Sequence, residues 1–284
     1  MSNKTVLDLQ KMKAGNQRIA MVTAYDATMA RLVDQGGADM VLVGDSLGMV
    51  VQGHSDTLQV TLDHMVYHGQ CVARGLEAAH LTVDLPFMSY QVSPEQALVS
   101  AGRLVQEGRA QSVKLEGGVR SAPAVRRIVE AGIPVVGHVG LTPQSVNAFG
   151  GFRVQGRGDA GAEKLLADAL AIQEAGAFCI VLEMVPAELA AEVTAALDII
   201  TIGIGAGVEC DGQVLVCNDL LGFDTSFKPR FVKRFAELEA PIVSAVSEYV
   251  GEVRSGTFPA SEHAFHRRKG PSKVKRLYGG RSAK

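Results

Sequence analysis

Residues 160–184 read AGAEKLLADALAIQEAGAFCIVLEM. The first part places apolar residues at helical spacing, and the last six, CIVLEM (179–184), form a run without alternation. Near-continuous Val, Ile and Leu marks a strand covered on both faces, as in parallel sheets. The same pairing recurs outward in both directions. Similar runs are IAMVTAYD (19–26), MVLVGD (40–45), LTVDLP (81–86), SVKLEG (112–117), PVVGHVG (134–140) and ITIGIGAG (200–207), with a weaker QVLVCND (213–219). Helical stretches such as ATMARLVDQGG separate them, and Ser93-Pro94-Glu95-Gln96 reads as a helix start, with Ser at the N-cap and Pro at N1. Parallel neighbours need a crossover connection. Seven or eight β-then-α units without a linker therefore predict an α/β fold closed as a (β/α)8 TIM barrel rather than an open sheet.

The polar residues cluster where these runs end. Asp45 closes the second and Asp84 the third; Lys114 and Glu116 sit at the end of the fourth, His138 in the fifth, and Glu183 at the end of the sixth. In a parallel barrel these ends meet on the C-terminal rim, where such folds carry their chemistry. One carboxylate alone could simply cap a helix or bind a loop. Four carboxylates beside one Lys would repel strongly in a partly desolvated site. A hard divalent cation offsets that repulsion, and Mg2+ takes oxygen ligands while leaving positions for substrate and water. Zinc fits less well, because no HExxH or His cluster accompanies the acids.

Composition narrows the class further. The 284 residues include 28 Lys plus Arg against 30 Asp plus Glu, a net charge of −2. That total hides an asymmetry: residues 265–284 hold eight basic residues and no acid, leaving −10 on the other 264. Neither the average charge nor any apolar run points to nucleic acid or to a membrane span, and the stretch MSNKTVLDLQKMKAGNQR lacks the apolar core expected of a signal peptide. The four Cys show no CxxC pair, which suggests free thiols in a reducing, cytoplasmic setting.

Three motifs tempt and fail. Gly44-Asp45-Ser46-Leu47 spells an esterase nucleophile block, but His263 and His266 lack an Asp three residues before either. GIGAG (203–207) is GxGxG rather than GxGxxG and comes late in the chain, so it reads as a tight turn after a strand. Arg157-Gly158-Asp159 is a coincidental RGD.

Nine segments in uninterrupted order carry a resemblance: TAYD (23–26), VLVGDSLGMVVQGHSDTLQVT (41–61), YHGQCVARG (67–75), VDLPFMSY (83–90), VKLEGG (113–118), GHVGLTPQS (137–145), FGGFRVQGRG (149–158), VLEMVP (181–186) and GIGAG. Together they closely resemble the ketopantoate (3-methyl-2-oxobutanoate) hydroxymethyltransferase family, from about residue 5 to His266. The resemblance implies a barrel of the phosphoenolpyruvate/pyruvate type, a homo-oligomer that is commonly a decamer, Mg2+, and 5,10-methylenetetrahydrofolate as co-substrate. It implies hydroxymethyl transfer to 3-methyl-2-oxobutanoate through a Mg-stabilised enolate, giving 2-dehydropantoate for pantothenate and coenzyme A synthesis. Asp45, Asp84 and Glu116 match the family's metal-site acids. Ser46 and Lys114 match substrate-binding positions, as do Asp45 and Asp84, and Glu183 matches the general base. His138 lies in a matching motif and stands as a further candidate. The alternative is a C–C lyase or phosphonomutase of the same barrel superfamily, although no Cys here lies in the KKCGH-like motif such enzymes commonly carry.

The expected organisation is one barrel domain over 1–266. The basic tail, 267–284, begins where the resemblance ends and reads as a disordered extension or as a dock for an acidic neighbouring subunit.

Overall fold

The computed structural model describes residues 3–226 and 228–267. Eight strands close into a barrel in chain order: β1 (Ile19–Thr23), β2 (Met40–Val43), β3 (His80–Asp84), β4 (Ser112–Glu116), β5 (Val135–Gly140), β6 (Cys179–Glu183), β7 (Ile200–Ile204) and β8 (Gly212–Leu215). Each pairing is parallel, and β8 returns to β1. The (β/α)8 expectation holds, including the weak eighth run. Most of the apolar runs overshoot their strands by one to four residues, because their last residues leave the sheet to build the rim.

Continuous apolar runs concealed a period of two. Ile19, Met21, Met40, Leu42, Val136, Cys179, Val181, Ile200, Ile202 and Val214 pack into one cluster across six strands, so they face the barrel interior. Leu9, fully buried on the helix Val6–Ala14, joins that cluster. The helix is held by a capping box in which Thr5 and Asp8 satisfy each other's backbone N–H. The alternate residues, such as Val41, Leu81, Val113, Val135, Ile180 and Leu182, face outward into the larger core shared with the helices.

Inside β3 and β4 the filling is polar from bottom to top. His80 Nε2 meets Ser112 Oγ at 2.9 Å, and Ser112 Oγ meets Thr82 Oγ1 at 2.8 Å. All three side chains are buried. One level up come Asp84 and Lys114, register partners across the β3–β4 pair. Lys114 is also the partner of Val136 and Glu116 of His138, which fixes these charged residues on the inner face.

The predicted helix start at Ser93 is confirmed. Ser93 accepts a hydrogen bond from Gln96 N, Pro94 occupies the first turn, and the helix runs Pro94–Gln106. The Gln96 carboxamide in turn accepts from Val92 N at 3.1 Å.

The chain divides after Ala236 into two compact units, and every barrel strand lies in the first. The second contains the helix Glu239–Ser255, which stops at Gly256 in the left-handed conformation (φ 74°). Tyr249 packs edgewise on Phe258, and Phe258 packs on His263. The basic tail beyond Arg267 lies outside the described residues. Among the described residues no helix is long and apolar enough to cross a membrane.

Candidate active site

The strand-end residues converge at the C-terminal mouth of the barrel. Lys114 Nζ lies 3.0 Å from Asp84 Oδ1 and 3.3 Å from His138 Nδ1. His138 Nδ1 is 3.6 Å from Glu116 Oε1, and its Nε2 is 3.1 Å from Glu183 Oε2. Asp45 N donates to Asp84 Oδ2 at 3.1 Å. Asp45, Asp84, Lys114, Glu116 and His138 are all at least 95% buried, whereas the Glu183 side chain keeps 16% exposure. One Lys thus stands among four carboxyl groups, with the least buried of them, Glu183, on β6.

Charge and burial push these groups in opposite directions. Burial and the charge on Asp84 raise the Asp45 carboxyl to about 7, against the pull of Lys114 and the Gln144 hydrogen bond. Burial lifts Glu183 to about 7, opposed by Lys114. Glu116 goes well above the usual carboxylate range, through burial and then the charge on Asp45. Burial works against the Lys114 ammonium, but Asp84, Glu116 and Asp45 together outweigh it and hold the proton more firmly than usual. His138 is driven well below its ordinary value by burial and by Lys114, so it is neutral at physiological pH.

The local backbone aims these groups. Gly140, at φ 93°, ends β5 where a Cβ would stand 2.3 Å from the Glu183 carbonyl oxygen. Only glycine lets the chain pass there, and Leu141 N then donates to that same oxygen at 2.8 Å. Met184, the residue after Glu183, is held at φ 47°, a left-handed conformation that costs about 1–2 kcal/mol for a side-chain-bearing residue. Its N–H donates to Ile204 O at 2.9 Å, tying the end of β6 to β7. GIGAG forms the expected turn, with Gly205 and Gly207 at φ 62° and 81°.

Sequence reasoning missed several contributors. Gln144, buried in the turn after β5, donates from Nε2 to Asp45 Oδ2 at 2.9 Å and from its backbone N to Glu116 Oε2 at 3.0 Å. Tyr90 OH reaches Gln144 Oε1 at 2.8 Å and also bonds the Glu116 backbone. Tyr25 OH meets Ser46 Oγ at 2.9 Å. Ser46 therefore pairs with a phenol rather than a histidine, against the esterase reading. Gln144 and Tyr90 lay within segments quoted for the resemblance, but neither carries a charge at a strand end.

The donor set suits a hard cation. Every acid offers oxygen, and Asp84 Oδ1, although near Lys114, lacks a hydrogen bond of proper angle and is buried. Among the described residues no three His, Cys, Asp or Glu side chains are arranged to hold an ion by themselves. Mg2+ can be held by carboxylates directly or through water, with its remaining positions left to water and substrate oxygens.

A closed parallel barrel with a buried cluster of acids and one lysine at the strand ends defines an enzyme of the (β/α)8 class. The family model for ketopantoate hydroxymethyltransferase matches residues 3–261. The chain is 58% identical over 262 residues to 3-methyl-2-oxobutanoate hydroxymethyltransferase of Syntrophotalea carbinolica, covering 92% of this chain and 98% of that one. It is 56% identical to the protein of the same name from Moorella thermoacetica, covering 93% and 98%. The chain belongs to the ketopantoate hydroxymethyltransferase family. Among solved structures, phosphonopyruvate hydrolase in complex with oxalate and Mg2+ superposes with a TM-score of 0.61 at 10% identity, covering 92% of this chain and 93% of that one. A 2,3-dimethylmalate lyase, a PEP mutase/isocitrate lyase superfamily member, gives 0.58 at 16%, covering 94% and 91%. At those identities the likeness is one of fold.

Proposed function

We propose that this enzyme transfers the one-carbon unit of 5,10-methylenetetrahydrofolate to C3 of 3-methyl-2-oxobutanoate, giving 2-dehydropantoate for pantothenate synthesis. The observation that carries the reading is Glu183. It is the least buried of the clustered carboxyls, and its value near 7 matches a base working at neutral pH. Family membership over most of the chain supports the substrate.

Asp45, Asp84 and Glu116 would hold Mg2+, which when bound supplies positive charge to a 2-oxo acid's keto and carboxylate oxygens. The protein's own groups divide the remaining work. Lys114 provides a fixed ammonium for the substrate carboxylate or the developing oxyanion. Ser46, oriented by Tyr25, offers a hydroxyl at the end of β2. Glu183 Oε2 takes the C3 proton, and neutral His138 Nε2 lies 3.1 Å away without a hydrogen bond to it, so it adds no charge there. The C3 electron pair forms the new C–C bond to the folate's methylene carbon. Both carbon–nitrogen bonds of that carbon break, water supplies the hydroxyl oxygen, and the C3 proton and one water proton go to the two freed nitrogens as tetrahydrofolate leaves. A homo-oligomer, commonly a decamer, and a cytoplasmic setting are part of the proposal, resting on the resemblance and on the free thiols.

Product analysis with 3-methyl-2-oxobutanoate, methylenetetrahydrofolate and Mg2+ tests this directly. Formation of 2-dehydropantoate supports it, and failure to form the product under saturating conditions overturns it.

A further inference from the structure

We propose that Gln144 is the positioning residue of the carboxylate cluster, holding one oxygen each of Asp45 and Glu116 so that the other faces a divalent cation. The proposal rests on the cation reading above.

Gln144 is 6% exposed and sits in the short 3-10 turn Pro143–Ser145 after β5. From there it reaches three other strand ends. Its backbone N–H donates to Glu116 Oε2 at 3.0 Å, and Nε2 donates to both Asp45 Oδ2 at 2.9 Å and Leu85 O at 3.0 Å. Oε1 accepts from Tyr90 OH at 2.8 Å and from Gln91 Nε2 at 3.1 Å. A primary amide has two N–H donors and two lone pairs, so this carboxamide is fully used. Its orientation is fixed as well: Nε2 faces a carboxylate and a carbonyl, which only a donor satisfies.

The choice of an amide has a chemical reason. A Lys or Arg in its place would also bond Asp45, but it would neutralise the carboxylates and compete with the cation. The neutral amide immobilises one Asp45 oxygen without adding a cation, while Glu116 is held by the Gln144 backbone N–H. Asp45 Oδ1 accepts no hydrogen bond among the described residues, and Glu116 Oε1 has only His138 Nδ1 at 3.6 Å. Loss of hydrogen-bonded partners behind metal ligands typically lowers metal affinity ten- to hundredfold.

The test uses the full chain and Mn2+ as a spin-active stand-in for Mg2+, with free Mn2+ followed by electron paramagnetic resonance. Wild type, Gln144→Met, Tyr90→Phe and Asp45→Ala are compared. Gln144→Met keeps the volume but removes the amide. Its Kd for Mn2+ is expected to rise ten- to hundredfold, and raising the cation concentration should restore much of kcat, as a general folding defect would not allow. Tyr90→Phe, which removes one of the two donors to the carboxamide oxygen, should raise Kd several-fold. A folded Gln144→Met with wild-type Kd overturns the proposal. Should that variant fail to fold, wild-type affinity in Tyr90→Phe overturns it instead. If Asp45→Ala binds Mn2+ as wild type does, or wild type binds none, the cation reading itself falls and takes this one with it. Weakened binding in Asp45→Ala with none in Gln144→Met or Tyr90→Phe would sink the positioning role alone.

Discussion

Asp84 and Lys114 are register partners on β3 and β4, and their side chains meet at 3.0 Å inside the barrel with almost no solvent. Lys114 is the one cation among four carboxyl groups, so its charge is shared rather than paired. Lys114→Met should lower kcat/KM at least a hundredfold, the scale expected when a preorganised charge is removed from a developing oxyanion. Steady-state kinetics at saturating Mg2+ checks this, and a loss of less than tenfold would remove Lys114 from the chemistry.

Glu183→Gln should abolish exchange of the C3 proton of 3-methyl-2-oxobutanoate with deuterium oxide, read by proton NMR. In wild type the exchange rate should climb with pH and level off above an apparent pKa of about 7, because only the carboxylate accepts a proton. Undiminished exchange in the variant would take the base role away from Glu183.

The same residue links function to stability. Burial raises Glu183 from 4.5 to about 7, so between those values the folded chain binds a proton that the unfolded chain has released. Stability from this group is therefore full below about pH 4.5 and declines as pH rises through 7. Glu183→Gln removes that loss. In metal-free protein it should be more stable than wild type at pH 8, by about 3 kcal/mol at most, and nearly unchanged at pH 4.5. Thermal unfolding at the two pH values provides the check.

Chelation should silence the enzyme. Activity is expected to fall to background in excess EDTA and to return with added Mg2+, and Asp45→Ala and Asp84→Ala should each weaken Mg2+ at least tenfold. Full turnover in EDTA would end the metal assignment.

Gly140→Ala probes the backbone that aims the base. The added methyl would strike the Glu183 carbonyl oxygen and sit at φ 93°, so the end of β6 must shift. Overpacking of this kind costs about 1–3 kcal/mol. Exchange at C3 should slow tenfold or more while Mn2+ affinity stays within a few-fold, since the displaced strand carries the base and none of the proposed metal ligands.

Much of this was legible in the residues. The eight runs announced the barrel, and Asp45, Asp84, Lys114, Glu116, His138 and Glu183 stood out as polar residues at or near the ends of apolar strands. Gln144 did not. It is uncharged, lies in a turn rather than at a strand end, and matters only because that turn folds back over β2 to β4. His80, Thr82 and Ser112 were hidden differently. Within runs read as covered on both faces, nothing marks which residues look inward, and that becomes visible only from the register. The helix Glu239–Ser255 carried ordinary helical composition, with no cue that the chain divides at Ala236.

The polar stack under the site means that the pocket has a lever beneath its floor. Ser112 bonds both His80 and Thr82, one strand-repeat below Asp84 and Lys114. An engineer wishing to retune the reactive groups without altering anything the substrate meets could work from there. On the opposite arc, where Cys179, Val181, Ile200 and Ile202 fill the interior, the same depth offers packing volume but no hydrogen bond through which to pull.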